Sequence, residues 1–170
     1  MSLLTIVNCT DPILRKKCQQ VDNIDDTLVT LTENMIETMY KASGLGLAAN
    51  QVGVPSGLFV IDMGIEKEKR DPVVVINPVI TASEKELLGE EGCLSVPEVL
   101  AEVKRAQHVE VKGYNLKGSE IRYEAEGFLA RALQHEMDHL NGILFWDYLS
   151  QVKRDILKRK FKKKLKELEA

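Results

Sequence analysis

Two histidines four residues apart, His135 and His139 in QHEMDHLNG, constrain this chain more than any other stretch. They lie in FLARALQHEMDHL, which follows Gly127 and reads as one strong helix. On a helix, residues i and i+4 stand roughly 40° apart around the axis, so both imidazoles can reach one point. Glu136 sits next to this face, where it can contact a water on a bound ion without being a ligand. Two ligands do not complete a catalytic site, which usually has three protein ligands and one open position. The rest of the chain must therefore bring a third donor to this helix.

The downstream sequence does not supply one. In the extended pattern HExxHxxGxxH, Gly142 is present but Phe145 occupies the third histidine position. A glutamate some twenty or more residues downstream would have to be Glu167 or Glu169, inside a basic tail. Upstream, EGCLSVP at 91–97 offers Cys93, with Gly92 permitting close approach and Pro97 ending the segment. Spacing favours Cys93 and leaves His108 as the alternative. Cys9 and Cys18 read as small buried hydrophobes.

A third stretch, GLGLAANQVG at 44–53, superficially matches a dinucleotide fingerprint. That fingerprint needs a strand before it and a helix after it, and here a helix precedes and no helix follows. The glycines instead suit extended backbone lying close to a ligand, with the Gln51 amide as a donor.

The remaining pattern predicts an α+β fold: short antiparallel strands around a central metal-binding helix, with one helix near each end. DDTLVTLTENMIETMYKAS (25–43) has helical apolar spacing at Leu28, Leu31, Met35, Ile36, Met39 and Tyr40. GLFVIDM and DPVVVINPVIT are β-branched runs bounded by Gly and Pro, and a meander is expected from Val99 to Glu126 with a turn at Asn115–Gly118. Phe145 to Tyr148 is a short link before a basic C-terminal helix.

The length of 170 residues suits one domain, taken as a catalytic part over 1–150 and the helix 151–170 of the same domain. The start of the chain has no basic leader, and no segment approaches the ~18 apolar residues of a membrane helix. Three scattered cysteines then read as cytosolic thiols rather than a disulfide framework, so a cytoplasmic protein is expected. Residues 151–170 carry nine Lys or Arg against three acids, a net of +6, which leaves residues 1–150 at −9. Leu157, Phe161 and Leu165 form an apolar stripe on that helix. The bland reading of its charge is a solvated face.

Taken together and in this order, GxGxAAxQ (Gly44, Gly46, Ala48, Ala49, Gln51), EGCLS (Glu91–Ser95) and QHExDHLxG (Gln134–Gly142) resemble the peptide deformylases of the bacterial type. The resemblance covers essentially the whole chain. It implies that Cys93, His135 and His139 bind one divalent ion, ferrous iron first, with zinc, nickel or cobalt as substitutes. It implies a hydrolase of protein biosynthesis that removes the formyl group from the N-terminal methionine of new polypeptides and releases formate. Glu136 would be the proton carrier, and the Gln51 amide and Leu94 N–H the donors to the carbonyl oxygen. Phe128, Arg131 and Ala132 share the His135 face and, with Leu45, Gly46 and Leu94, are expected to wall the methionine pocket. Arg131 departs from the apolar residue expected there. Its stem is expected on the wall and its charge in solvent. The basic helix is expected to touch the ribosome. A metalloprotease, a closed four-ligand zinc site and a nucleic-acid binder are the competing readings, separable by turnover of formyl-Met peptides.

Overall fold

The computed structural model describes residues 2–170, the Glu66 side chain excepted. Helix α1 spans Asp26–Lys41, and its N-terminus is capped by the Asp25 side chain, which accepts from the Leu28 N–H at 2.9 Å. Five strands follow: β1 (Gly46–Ala48), β2 (Leu58–Asp62), β3 (Pro72–Cys93), β4 (Val96–Tyr114) and β5 (Glu120–Glu126). Helix α2 is Gly127–Leu140 and helix α3 is Gln151–Glu169. The strands form one antiparallel sheet in chain order, β1-β2-β3-β4-β5.

Strand β2 shows how the core is divided. All five of its residues are buried, so both of its faces are covered. Phe59 and Ile61 pack with Val75, Val109, Val111 and Leu133 on the α2 side. Leu58 and Val60 pack with Met35, Met39 and Ile76 on the α1 side. The period-2 alternation of the strand thus feeds two helices on opposite faces. A third cluster joins Val96, Val99 and Val103 to Phe145, Trp146 and Phe161 of α3. The apolar stripe of α3 is therefore seated on the body, with Phe161 buried and Leu157 and Leu165 partly covered.

The α+β organisation and the helix positions agree with the sequence reading, but one strand is much longer than the DPVVVINPVIT run. β3 continues to Cys93, paired with β4 through register shifts after Ile76, Ile80 and Glu91. Its outer half, Thr81–Leu88, is exposed throughout, because this part of the β3–β4 pair is a ribbon with little core beneath it. Polar residues without burial give no strand periodicity to read. The expected turn at Asn115–Gly118 is present, with the Asn115 side chain accepting from Lys117 N and Ser119 N.

Candidate metal centre

Three segments distant in sequence meet at one point. Cys93 ends β3, just before the tight Leu94–Ser95 connection to β4. Helix α2 presents His135 and His139 from the opposite side. The Cys93 Sγ lies 3.3 Å from His139 Nε2, and the two Nε2 atoms are 3.1 Å apart. All three donor atoms fall within 4.8 Å of one another, the one such group among the described residues. Two imidazole nitrogens bound tetrahedrally to one ion stand about 3.3 Å apart, so the donor set fits a small divalent cation. His108 is not in this group. It pairs across β4 with Glu84 and Glu126 and lines a separate surface hollow.

Burial opposes a proton on either histidine, yet the two differ in direction. At His135, hydrogen bonds to Cys93 and Glu91 outweigh that burial and hold its pKa well above the ordinary value. At His139, burial and then the charge of His135 push it well below. A charge on one imidazole thus disfavours a charge on the other.

Glu136 is buried, and its Oε2 has no partner among the described residues. Burial first of all raises its pKa to about 7. Gly46 on β1 makes room for it: a Cβ there would stand 2.6 Å from Glu136 Oε1. Gln51 follows on a single 3-10 turn, Ala49–Val52, which is all the helix that comes after the glycines. Its Oε1 accepts from Ala48 N at 2.9 Å, and its Nε2 donates to Ser95 Oγ at 3.0 Å and points at Cys93 Sγ, 3.6 Å away. The amide is thus fixed with its N–H groups toward the Cys93 side.

Sequence reasoning left the support of this cluster unassigned. Glu91 accepts from His135 Nδ1 at 2.9 Å and from Arg105 Nε and Nη2 at 2.7 and 2.9 Å. Arg105 Nη1 reaches on to Asp138, which also accepts from the Tyr148 hydroxyl. Burial alone would raise the Glu91 carboxyl, but the Arg105 and His135 hydrogen bonds bring it down to about 2. One signal existed: Arg105 stands in phase with Val103, Val109 and Val111 on the buried positions of β4, and an inward charge demands a partner.

Arg131 corrects an expectation. Its charge does not reach solvent. Nη1 donates to Glu91 Oε2 at 2.8 Å and Val103 O at 2.7 Å, and Nη2 to Leu87 O at 2.8 Å. The strand carbonyls it meets are the reason, since they compete with water for every N–H they align with. Glu91→Gln would leave Arg131 without a carboxylate and Arg105 with Asp138 alone. Breaking a buried pair from one side costs about 3–5 kcal/mol, which urea unfolding at pH 7 measures. Because the folded carboxyl titrates near 2 rather than 4.5, this contribution is present above 4.5. It is lost as pH falls toward 2, so the two unfolding curves converge in acid.

A cleft of about 460 Å³ opens onto the cluster, and Leu45, Gly46, Gln51, Leu94, Phe128, Arg131, Ala132, His135 and Glu136 all line it. A three-donor cluster in an open cleft is the arrangement of a catalytic rather than a structural metal site, and a buried carboxylate beside two helical histidines is the pattern of metal-dependent hydrolases. The family described as Polypeptide deformylase matches residues 3–155. A peptide deformylase of Syntrophobacter fumaroxidans is 52% identical over 170 residues, covering 100% of both chains. One of Thermodesulfovibrio yellowstonii is 49% identical, over 96% of this chain and 99% of its own. The crystal structure of a peptide deformylase from Legionella pneumophila superposes with a TM-score of 0.93 at 44% identity, over 99% and 98% of the two chains. This chain belongs to the polypeptide deformylase family. It is a divalent-metal hydrolase that removes the formyl group from the N-terminal methionine of newly made polypeptides and releases formate.

Proposed function

We propose that Cys93, His135 and His139 hold the ion, that Glu136 moves the proton, and that Gln51 and Leu94 stabilise the carbonyl oxygen. The observation that carries this reading is the convergence of the three donors beside a buried carboxylate with an unpartnered oxygen. A divalent ion in such a site lowers the pKa of a water toward neutrality and polarises a carbonyl. Glu136 accepts the proton of the attacking water and delivers it to the departing nitrogen as the C–N bond breaks. The Gln51 Nε2 and the Leu94 N–H donate to the oxygen as charge develops there, which is where preorganised donors act most strongly. Glu91 keeps the His135 Nδ1 hydrogen-bonded, so that Nε2 is turned toward His139 Nε2, where it would hold the ion. Leu45, Gly46, Phe128, Arg131 and Ala132 receive the methionine side chain. The deciding assay is formate release from formyl-Met-Ala with ferrous ion and without oxygen. Turnover that stops on chelation and returns with the ion is expected, and no release with any divalent ion overturns the reading.

The soft donor set suits iron, zinc, nickel or cobalt, and ferrous iron is the ion we assign. Turnover with iron is expected to decay in air faster than turnover with nickel or zinc. The Cys93 thiolate beside a redox-active ion is open to oxidation. Equal half-lives of the iron enzyme with and without oxygen would contradict this.

We assign the enzyme to the cytoplasm, with residues 1–150 as the catalytic part and 151–170 as a helix of the same domain. No helix among the described residues is long and apolar enough to cross a membrane. Because Phe161 is used against the body, the exposed face of α3 is cationic, including Lys153, Arg159, Lys160, Lys162, Lys163 and Lys166. Such a face binds phosphates in a salt-dependent way, and the ribosome is where formylated chains emerge. Replacing Arg159, Lys162, Lys163 and Lys166 by Glu should abolish ribosome cosedimentation at low salt and leave turnover of formyl-Met-Ala unchanged. Undiminished cosedimentation would exclude α3 as the docking element.

A further inference from the structure

The segment that leads to Gln51 meets α2 at two points. At the first, Gly46 lets β1 come against the Glu136 side chain. At the second, Asn50 Nδ2 donates to the His139 carbonyl at 2.6 Å. Asn50 is fully buried on the 3-10 turn, one residue before Gln51. Among the described residues, this is the one hydrogen bond between that turn and α2. The Gln51 backbone is otherwise held by the N-terminal segment, its carbonyl accepting from Val7 N at 2.8 Å.

The bond is more than a helix cap. The last turn of a helix leaves carbonyls without intrahelical partners, but that of His139 already accepts from Gly142 N at 3.1 Å. Nor does burying this amide favour the fold by itself. Its Oδ1 is buried without a partner among the described residues, a cost that an apolar side chain would avoid. The amide serves the one contact it makes, and that contact joins the residue before Gln51 to a member of the donor set.

We propose that Asn50 is a positioning residue, which ties Gln51 to the His139 turn so that the donor to the carbonyl oxygen and the ion keep a fixed separation. This rests on the roles proposed for Gln51 and His139. A donor must stand within hydrogen-bond reach of the place where charge develops, and a misplacement of about 1 Å can cost ~10²-fold in rate. Asn50 acts through Gln51, and its effect falls on the transition state rather than on substrate binding.

The test is a double-mutant cycle on the iron-loaded enzyme with formyl-Met-Ala, with kcat expressed per bound ion. Asn50→Leu keeps about the side-chain volume and cannot donate, and Asn50→Ala is the smaller companion. Each is made alone and together with Gln51→Ala. Alone, each should lower kcat by about 10- to 100-fold, leave KM little changed and keep its metal through desalting. Gln51→Ala should itself cost about 10²- to 10³-fold, the usual loss for one such donor. In that background the Asn50 change should cost no more than about twofold further. A Gln51→Ala enzyme with undiminished kcat overturns the donor role of Gln51 and this proposal with it. Where Gln51→Ala does lower kcat, an Asn50 change without effect, or with the same loss in both backgrounds, overturns the role of Asn50 alone. Loss of the fold or of the metal in both Asn50 variants makes Asn50 a structural residue and overturns it as well.

Discussion

Glu136→Gln is expected to keep its metal and lose turnover by ~10²- to 10⁴-fold, the usual cost of removing a general base. Glutamine has the same shape and still fills the space that Gly46 leaves against β1, so the fold and the three donors stay in place. It cannot take up a proton. The native carboxyl is suited to that task because burial lifts it to about 7. A base with a pKa near the working pH both accepts and returns a proton readily. A cation beside it favours the ionised form and draws the value below 7. In the proposed role the carboxylate form is the active one, so turnover should fall as pH drops through that pKa. This acid limb should be missing from the residual activity of the variant. Metal content and kcat measured on the same samples decide the matter. Substantial turnover at wild-type metal content would remove Glu136 from proton transfer.

The parts of this molecule that were legible in the sequence are those where one local rule suffices. The four-residue spacing of His135 and His139 on a helix shows their shared face, and the β-branched run in GLFVIDM, bounded by Gly and Pro, shows a strand. Cys93 and Gln51 were reached through motifs, because nothing local says which cysteine will meet a helix some forty residues on. The structure supplies the reason: the turn after β3 and the 3-10 turn after β1 both come down onto α2. What stayed illegible depends on pairing across the chain. The outer half of β3 is held by its partner strand rather than by burial, so its exposed polar residues look like a loop. The charge of Arg131 looked destined for water because three of its four acceptors, the carbonyls of residues 87, 89 and 103, have no side-chain signature.

Glu91 shows how far the site extends beyond its motifs. It lies within EGCLS, yet its work is done toward His135 on one side and Arg105 and Arg131 on the other. A carboxylate this buried persists as an anion only because two guanidinium groups and an imidazole surround it. The reciprocal effect on Arg105 is a pKa driven further up, so the pair stays charged. Asp138, in the last helical turn before Gly142, extends the chain of charges to Tyr148. His135 is thus oriented by groups from β3, β4 and α2, which is why a motif of nine residues cannot by itself define the centre.

Cys93→Ala is expected to abolish tight metal binding and with it turnover, whereas Cys9→Ala and Cys18→Ala should retain both. The thiolate is the charged member of the donor set, and alanine replaces neither its charge nor its lone pairs. Its loss leaves two imidazoles, one fewer protein ligand than a catalytic site needs. No other donor can step in: His108 lies in a separate hollow, and the described residues hold no second cluster. The other two cysteines are poor candidates on chemical grounds as well. Burial, and for Cys9 the neighbouring Cys93, push both thiols up to about 11, so they stay protonated at neutral pH. A protonated thiol is neither a strong ligand nor a nucleophile. Cys9 packs beside Cys93 in the cluster around Val96 and Phe145, which makes Cys9→Ala the sharper control, since it disturbs the same neighbourhood without touching the donor set. Metal analysis after desalting separates the outcomes. Full occupancy in the Cys93 variant, or loss of metal from the Cys9 variant at unchanged stability, would sink the assignment of Cys93 as the third ligand.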